Sequence, residues 1–423
     1  MRVAIVGAGF TGLTSALRLS QAGESVSLFE ASDAPGGLAS GLSRPGWEWP
    51  VERFYHHIFT NDAAIIRLAH EVSWPPLFFH PETSVYFEDR IYPFDSVLDL
   101  LRFPHLSLAS KVRMGATLGF LKALPFWKPL ERFTADRFLR FTMGSAGYTT
   151  IWEPLLIGKF GPFAPSVNAA WFWARVFKRT ARLGYFRRGF QGLADQIVDS
   201  ITKRGGRVLT NHPVENVSVS KKGFVVRSAS REQLFDRVLF TTSTSLFLRL
   251  FPALPDRYRS GLQQLASVDA LVLLLVLRKP FMEGVYWLNV LSRSLPFLVL
   301  IEHTNMIDSK YYGGNHLLYL GTYLPSTDPL LHRSPSFLRH LAIRQLLAIR
   351  NDFDPSNITS CFVFRGPQAQ PVVPVSYSSI LPTISTPIPN LYLGNMNLVY
   401  PWDRGTNYAV ELGEKLARVI LHP

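Results

Sequence analysis

Apolar residues at the start of the chain follow the order strand, helix, strand. Residues 3–6 form an unbroken apolar run, whereas Leu13, Ala16 and Leu17 recur with the spacing of one helix face. A second run of strand character occupies residues 26–30. Two strands joined by one helix within about thirty residues predict a βαβ unit, the building block of a parallel sheet.

Two later parts of the chain have the pattern needed to complete the same sheet. The first has a predicted helix at 189–203, a strand at 207–210 and a hairpin-like stretch at 214–240. The second has a strand at 390–393 and a closing helix at 408–421. We therefore expect the three parts to form one discontinuous domain.

The stretches between these parts differ in pattern. One is mostly helical with proline-rich joints, whereas the other has strand-like apolar runs interrupted by a helix at 337–349. The predicted fold class is α/β, with a discontinuous Rossmann-like domain, an inserted mixed α+β domain and a helical subdomain. The predicted boundaries are 1–75, 185–250 and 386–423 for the first domain, 251–385 for the mixed domain and 76–184 for the helical subdomain.

The turn after the first strand has the spacing G-x-G-x-x-G, in Gly7-Ala8-Gly9-Phe10-Thr11-Gly12. Gly7 permits the tight turn, Gly9 lets the backbone approach a pyrophosphate, and Gly12 lets the helix pack on the strand. Glu30 ends the second strand, where a carboxylate can bind a ribose hydroxyl. Strand, helix and carboxylate agree, so the pattern predicts a nucleotide site rather than a structural glycine turn.

Composition excludes several classes of protein. Hydrophobic residues make up 47% and charged residues 18%, which is typical of a globular chain rather than a disordered or fibrous one. The single cysteine, Cys361, excludes an internal disulfide, and no metal site is predicted. Without a visible signal peptide or transmembrane run, the expected location is cytoplasmic, with a peripheral position at the inner face of the membrane as an alternative.

Positive charge is concentrated in one part of the chain. Residues 102–188 hold fifteen Lys or Arg against three acids, together with seventeen of the 55 Phe, Trp and Tyr residues. This mixture predicts either a face that meets an anionic membrane or amphiphilic substrate, or a helical cap whose lysines are simply solvated. No nucleic-acid-binding module accompanies the charge, so nucleic acid is not expected as a partner.

The glycine motif, Glu30 and the doublet Gly36-Gly37 that follows resemble the FAD-dependent amine oxidase superfamily, which includes protoporphyrinogen oxidases, phytoene desaturases, amine oxidases and UDP-galactopyranose mutases. The resemblance implies noncovalent FAD and a substrate-binding role for the domain at 251–385. It implies cofactor contacts from three segments. The implied residues are Gly7, Gly9, Phe10, Thr11, Gly12, Glu30, Ala31, Gly36, Gly37 and Leu38, then Val214, then Gly394, Asn395, Gly405, Thr406 and Asn407. Many members have Gly-Asp where this chain has Gly394-Asn395.

Residues 56–62 are similar to a His-Ile-Phe-His-Thr-Asn run of UDP-galactopyranose mutases, in which the histidine lies by the flavin. His56 and His57 are therefore candidate catalytic residues, because a neutral imidazole can donate a hydrogen bond or relay a proton. Arg365 and Tyr323 are further candidates, for binding an acidic group and for lining the cavity. A structural role is the alternative for all four residues.

The resemblance implies an FAD-dependent oxidoreductase that oxidises a fairly apolar small molecule. This molecule would carry an anionic group if arginines such as Arg365 bind it. The first alternative is an isomerase of the UDP-galactopyranose mutase kind, acting on a sugar nucleotide. The second is a flavin-binding protein without turnover. The sequence does not predict an oligomeric state.

Overall fold

The computed structural model describes residues 1–422. The strands are β1 (Arg2–Val6), β2 (Ser25–Phe29), β3 (Gly41–Leu42), β4 (Val51–Glu52), β5 (Ile58–Phe59), β6 (Leu77–Phe79), β7 (Glu82–Phe87), β8 (Arg90–Pro93), β9 (Leu183–Tyr185), β10 (Arg207–Leu209), β11 (Val214–Ser220), β12 (Gly223–Ser228), β13 (Arg231–Phe235), β14 (Arg237–Phe240), β15 (Ser267–Leu277), β16 (Val285–Val290), β17 (Val299–Glu302), β18 (His316–Leu324), β19 (Ile358–Pro371) and β20 (Leu391–Leu393). The α-helices are α1 (Phe10–Gln21), α2 (Ala63–Glu71), α3 (Val97–Arg102), α4 (Leu108–Ala123), α5 (Ala135–Met143), α6 (Ser145–Gly147), α7 (Glu153–Phe160), α8 (Ala169–Lys178), α9 (Gly189–Thr202), α10 (Thr244–Leu250), α11 (Asp256–Gln263), α12 (Pro335–Ile349) and α13 (Thr406–Leu421).

A parallel five-stranded sheet in the order β10-β2-β1-β14-β20 unites the three parts of the chain predicted to form one domain. Its central strands are short apolar runs that are buried on both faces, as expected where helices cover a parallel sheet. Helices α1, α9 and α13 pack together on this domain. A small antiparallel sheet, β11-β12-β13, follows β10 in the chain.

A seven-stranded sheet in the order β19-β15-β18-β17-β16-β7-β8 forms the second large layer. Its strand β15 is buried on both faces: Leu271 and Leu273 lie in one core cluster with Leu338 of α12, whereas Val272 and Leu274 belong to the core shared with the parallel sheet. The predicted sheet in 251–385 is thus present, and it separates α12 from the interior of the molecule.

The structure differs in its first part from the helical subdomain predicted at 76–184. This part begins with strands β6, β7 and β8, and β7 extends the large sheet by pairing in parallel with β16. Because β16 begins about two hundred residues later, the local pattern could not reveal its pairing partner. The remainder, α3 to α8, forms the expected helical layer. Among residues 1–422, no helix is long and apolar enough to cross a membrane.

Glu302, at the end of β17, is a fully buried carboxylate with no cation beside it. It accepts hydrogen bonds from the backbone N–H groups of Phe281 and Met282 at 3.1 and 3.3 Å. Burial raises the pKa of Glu302 to about 8, because removal from water disfavours the charged form more than these bonds favour it.

The stability of the protein should therefore depend on pH through Glu302. The folded state holds this proton more tightly than the unfolded state, so stability is lost as pH rises from about 4.5 to 8. We expect Glu302→Gln to reduce the pH dependence of the free energy of unfolding by about 1.4 kcal/mol per pH unit in that window. Urea denaturation at several pH values measures this, and Glu283→Gln at an exposed neighbouring position is the control. Equal slopes for all three proteins would contradict the prediction.

Candidate active site

Two glycines of the turn between β1 and α1 are required by the fold itself. Gly7 has φ +104°, which side chains rarely adopt, and a Cβ at Gly12 would lie 2.0 Å from the carbonyl oxygen of Gly7. Helix α1 therefore approaches the strand as closely as backbone atoms allow. The expected roles of Gly7 and Gly12, a tight turn and close helix packing, match this geometry.

Gly9 is different, because nothing in the protein requires a glycine there. Its φ is −70°, which any residue adopts, and the atom nearest to a Cβ placed on it is the Cα of Gly37, at 4.0 Å. The loop of Gly36 and Gly37 lies alongside, since the N–H of Gly36 donates to the carbonyl of Ala8 at 2.8 Å. Two side-chain-free backbones thus form a cradle that a Cβ on Gly9 would partly fill.

The first turn of α1 offers backbone N–H groups rather than side chains. Gly9 is its N-cap and supplies no capping side chain. Phe10 and Thr11 are buried, and the ring of Phe10 packs edge-on against Phe190. The N–H groups of Phe10 and Thr11 lie in this first turn, where the helix dipole makes them attractive to an anion.

Glu30 is held in place at the carboxyl end of β2. One carboxylate oxygen accepts from the N–H of Ala8 at 2.8 Å, and the other accepts from Ser32. The segment before β11 runs beside it, because the N–H of His212 donates to the Glu30 carbonyl. Val214 lies two residues further on, at the start of β11. Ala31 is exposed, and Leu38 is half-buried beside Gly366.

A second helix begins at the same edge of the parallel sheet. Helix α13 starts at Thr406 after Gly405, again without a side-chain cap, and it packs on α1, where Ser15 Oγ donates to the carbonyl of Gly413 at 3.1 Å. The buried hydroxyl oxygens of Thr406 and Thr242 have no hydrogen-bond partner within the described residues. Thr242 was not predicted, although a polar residue just after a parallel strand is a signal for this position.

Three residues of the predicted C-terminal contact set have structural duties. The Asn407 carbonyl oxygen accepts from the N–H groups of Ala64 and Ile65, so this side chain caps α2. The Asn395 amide donates to the Thr242 carbonyl and to the Thr244 hydroxyl. A Cβ at Gly394 would lie 2.3 Å from a methyl group of Leu416. The side chains of Asn395 and Asn407 therefore hold the loop in place through hydrogen bonds within the protein. The sequence did not predict these bonds, since it assigned both asparagines to contacts with the cofactor.

His56 and His57 lie on the segment between β4 and β5, with their neighbour Tyr55. The His56 Nδ1 atom is 2.6 Å from the carbonyl oxygen of Phe54, whereas the buried Nδ1 of His57 has no partner within residues 1–422. Burial lowers the pKa of His56 to about 4 and that of His57 to about 3. Both imidazoles are consequently neutral at physiological pH.

Aromatic side chains surround these histidines. The ring of His57 has edge contacts with Tyr286 and Trp287, and Tyr55 packs against Trp287 and Tyr319. The strands β16 and β18 of the large sheet supply these partners. This part of the molecule presents apolar ring surface with few polar atoms, as expected of a small-molecule site.

Arg365 does not lie with the other candidates. Its guanidinium donates to the backbone carbonyls of Leu331 and Arg333 at 2.5 and 2.7 Å. The next residue, Gly366, faces Phe54 and Leu38 in the interior, so Arg365 points to the opposite face of the sheet. The prediction for Arg365 relied on its charge alone, and its placement does not support a catalytic role.

Tyr323 belongs to a cluster of charged residues that the sequence did not bring together. Its hydroxyl is bound by Arg404, whose guanidinium lies over the ring, and Lys159 Nζ lies 5.6 Å from the ring centroid. The Asp403 carboxylate accepts from Lys159 at 3.0 Å and from Arg175 at 2.6 Å. We call the set Lys159, Arg175, Arg179, Asp403 and Arg404 the cation cluster.

The cation cluster joins the helical layer to the loop before α13. The loop residue Trp402 stacks on Phe177 of α8, and Lys178 lies over its ring. A partial signal is present in the sequence, since Trp171, Arg175 and Arg179 recur at intervals of four residues on a helix. It gave none for Asp403, which meets α7 and α8 only through the tertiary fold.

Comparison with known proteins places the chain in a family. The model of the flavin containing amine oxidoreductases matches residues 10–421. Coproporphyrinogen III oxidase of Staphylococcus aureus is 23% identical over 59% of this chain, and the neurosporene-forming phytoene desaturase of Rhodobacter capsulatus is 22% identical over 52%. These matches span 62% and 48% of the two relatives.

Solved structures of similar fold extend over the whole chain. An oxidoreductase from Methanosarcina mazei has a TM-score of 0.78 at 16% identity, covering 99% of this chain and 100% of the other. Putrescine oxidase bound to putrescine has a TM-score of 0.75 at 16% identity, covering 100% of both chains. Reduced UDP-galactopyranose mutase has a TM-score of 0.77 at 16% identity, covering 99% of this chain and 95% of the other. The family match, extending almost from end to end, shows that this chain belongs to the flavin containing amine oxidoreductases, a family of flavin-dependent oxidoreductases.

Proposed function

We propose that this protein binds FAD noncovalently and uses it to oxidise a largely apolar small molecule. The observation that carries the proposal is the aromatic enclosure around His57, which Tyr286, Trp287 and the neighbouring Tyr55 form. Its rings can hold an apolar substrate and exclude water. The coproporphyrinogen and phytoene relatives act on substrates with large apolar parts, which agrees with this enclosure.

The cradle and the two free helix starts are suited to the proposed cofactor. Gly9 and Gly37 leave room for a pyrophosphate against the backbone, and the N–H groups at the start of α1 can bind its oxygens. Glu30 is positioned for a ribose hydroxyl. The partnerless hydroxyls of Thr242 and Thr406 supply further hydrogen bonds. Bound flavin supplies the redox chemistry by accepting a hydride equivalent from the substrate.

His57 and the rings beside it orient the substrate, and His57 does not act as a charged group. Because His57 is neutral at physiological pH, it can donate one hydrogen bond from a fixed tautomer while its ring packs against Trp287. It is a weak base there, since its pKa is held near 3 by burial and by the nearby Arg179 and Arg175. Positioning and exclusion of water are therefore the functions proposed for this segment.

An isomerase of the UDP-galactopyranose mutase kind is the second candidate. The observation that favours it is the sequence run at 56–62, together with a cation cluster that would tolerate a diphosphate. A non-catalytic flavin-binding role is the third. These candidates differ in whether substrate alone reduces the flavin.

The first test concerns the cofactor and replaces Gly9 by Ala. The new Cβ meets no protein atom within 3.9 Å, so the fold should persist, but it would occupy the space needed by the pyrophosphate. We expect FAD content per protein to fall at least tenfold, measured by the ratio of visible to ultraviolet absorbance. Circular dichroism should be unchanged. Gly115→Ala, with open space around its Cβ, is the control, and undiminished FAD binding by the Gly9→Ala protein would contradict the assignment of the cradle.

The second test concerns the reaction. Under anaerobic conditions we expect an apolar substrate, with coproporphyrinogen III and phytoene as the first probes, to bleach the flavin absorbance, and oxygen to restore it. Putrescine should fail, because the cation cluster repels a dication. Conversion of UDP-galactopyranose only after reduction by dithionite, with no bleaching by the apolar probes, would replace the oxidoreductase proposal by the isomerase.

A further inference from the structure

We infer that Arg179 and Arg404 form a binding site for the anionic group of the substrate, a carboxylate or a phosphate. The inference rests on the proposed function, because the anionic group is taken to belong to the molecule that is oxidised. Its physical basis is that neither guanidinium forms an ion pair with a carboxylate within residues 1–422, so both positive charges are available to a ligand.

Arg404 donates only to neutral groups. Its guanidinium reaches the backbone carbonyl of Ala369 at 3.2 Å and the hydroxyl of Tyr323. No carboxylate oxygen of the described residues lies within the 4.0 Å of an ion pair. The surrounding protein lowers the pKa of Arg404, as expected of a cation removed from bulk water. Such a charge is costly unless a partner arrives.

Arg179 has the same property at the C-terminal end of α8. Its guanidinium donates to the Thr83 hydroxyl at 3.2 Å, and no ion pair holds it within residues 1–422. The side chain remains accessible to solvent, yet the protein around it lowers its pKa. Arg175 lies one helical turn before Arg179 and donates to Asp403, the chain neighbour of Arg404, so the three arginines lie in one region of the molecule.

Asp403 cannot compensate for these two arginines. Its carboxylate already accepts from Lys159, Arg175, the indole N–H of Trp171 and the backbone N–H of Arg404. These partners lower the pKa of Asp403 despite its burial, so it is ionised and fully engaged. Asp95 is a second carboxylate near Arg179, because it accepts from the N–H of Thr83, the residue whose hydroxyl Arg179 binds. Two carboxylates near four basic side chains still leave a positive excess that bidentate arginine forks can present to a carboxylate or phosphate.

The location of the cluster fits a substrate anion. Arg404 is two residues before Thr406, the first residue of α13, and its guanidinium lies over the ring of Tyr323. Tyr323 is on β18, the strand whose Tyr319 packs against Tyr55. Tyr55 in turn packs in the aromatic enclosure. An amphiphilic molecule can therefore place its apolar part among the rings and its anion on the arginines.

The test measures ligand binding to the FAD-loaded protein by calorimetry and by the change in the flavin spectrum. Benzoate and phenyl phosphate are the probes, and benzyl alcohol and benzylamine of similar size are the comparison. We expect at least one anion to bind tenfold more tightly than the alcohol, and the relative affinities of the two anions identify the preferred group. Arg404→Gln and Arg179→Gln should each raise the dissociation constant of that anion at least tenfold.

The control variant is Arg137→Gln, on the exposed face of α5, which should bind the anion normally. Arg404→Lys keeps the charge and guards against loss of folding, and it should retain more affinity than Arg404→Gln. Equal binding of benzoate and benzyl alcohol, or full affinity in both Gln variants, would overturn the anion site. Either result would leave flavin reduction intact, whereas failure of the proposed function would appear as a protein that lacks FAD or that no probe reduces.

A second inference comes from an independent observation on the outer surface of the helical layer. Nine of the seventeen exposed large apolar side chains of the described residues lie between 97 and 141. They are Val97, Leu98, Leu101, Leu108, Val112, Phe120, Phe126, Phe133 and Phe141. We call this set the α3–α5 apolar face. Phe141 is 82% exposed and Val97 74%, so these side chains are not the edges of a core.

Helix α4 carries apolar residues on two opposite sides. Met114 and Leu121 pack in the core, whereas Leu108, Val112, Ala116 and Phe120 recur every fourth residue and are exposed. Helices α3 and α5 continue the exposed stripe. The Lys111 ammonium donates to the carbonyl of Leu101, and the Arg113 guanidinium donates to the carbonyls of Thr142 and Phe141.

The charges around this face decide between partners. Residues 97–141 hold eight Lys or Arg and three Asp or Glu, and α4 itself carries three cations and no acid. A second copy of the chain would bring like charges together, whereas anionic headgroups would complement them. We propose that the α3–α5 apolar face docks on an anionic bilayer, with the apolar side chains at the acyl boundary.

Some residues of the helical layer contact the rest of the molecule and do not belong to the α3–α5 apolar face. Lys122 donates to the carbonyls of Val176, Phe177 and Arg179 at the end of α8. Lys128 pairs with Glu131, and the Trp127 ring packs against Tyr400. These residues hold the helical layer to the body of the molecule, so substitutions that test docking should avoid them.

The test is flotation of the full chain with vesicles of phosphatidylcholine alone or mixed with phosphatidylglycerol. We expect binding only to the mixed vesicles, reduced by high salt, and at least a fivefold loss of bound protein for the double variant Val112→Ser/Phe120→Ser. Phe337→Ser/Leu347→Ser, which also replaces two exposed apolar side chains but on α12, is the matched control and should bind normally. No flotation at low salt, or a dimer in sedimentation that the double variant abolishes, would overturn the membrane proposal.

Discussion

The backbone contact at the start of α1 is the constraint on which the site depends. A Cβ at Gly12 would lie 2.0 Å from the Gly7 carbonyl, and a Cβ at Gly413 would lie 2.7 Å from the carbonyl of Thr11. Gly12 therefore lets α1 approach the end of β1, and Gly413 lets α13 approach α1, at the carboxyl edge of the parallel sheet. That contact brings Glu30, Thr242 and Thr406 to one edge.

A second constraint is the electrostatic one imposed by the cation cluster. The Asp403 carboxylate accepts from the side chains of Lys159 and Arg175, whereas Arg179 and Arg404 donate only to neutral partners. Burial of charge without a partner is unfavourable, so the cluster is stabilised by the packing of Trp171 and Trp402 around it. Its arrangement is better suited to binding than to stability.

The sequence predicted the parts of the fold that are local. The glycine turn, the helix at Gly189–Thr202 and the strand at Leu391–Leu393 have patterns that follow directly from backbone geometry and burial. The strand at Glu82–Phe87 was missed because its partner is distant in sequence. The family resemblance, confirmed by comparison, came from motifs that keep fixed spacing.

The site was predictable only in part, for the same reason. Gly9 and Glu30 lie in one local unit, whereas Asp403 meets Lys159 and Arg175 only once three separate segments have packed. Charge alone misled at Arg365, because the alternation of side chains along β19 turns it away from Phe54. The asparagines Asn395 and Asn407 were assigned from motif position, which does not reveal the hydrogen bonds they make within the protein.

The packing of α1 on α13 also limits the order in which the protein can mature. Ser15 and Gly413, joined by a hydrogen bond, are 398 residues apart in the chain. During synthesis the first βαβ unit emerges long before the last strand and helix, and until then one edge of the parallel sheet lacks its neighbour β20 and α1 lacks its partner. The part of the site that Thr406 and the start of α13 supply can thus form only after α13 has left the ribosome, long after the cradle of Gly9 and Gly37 has been synthesised.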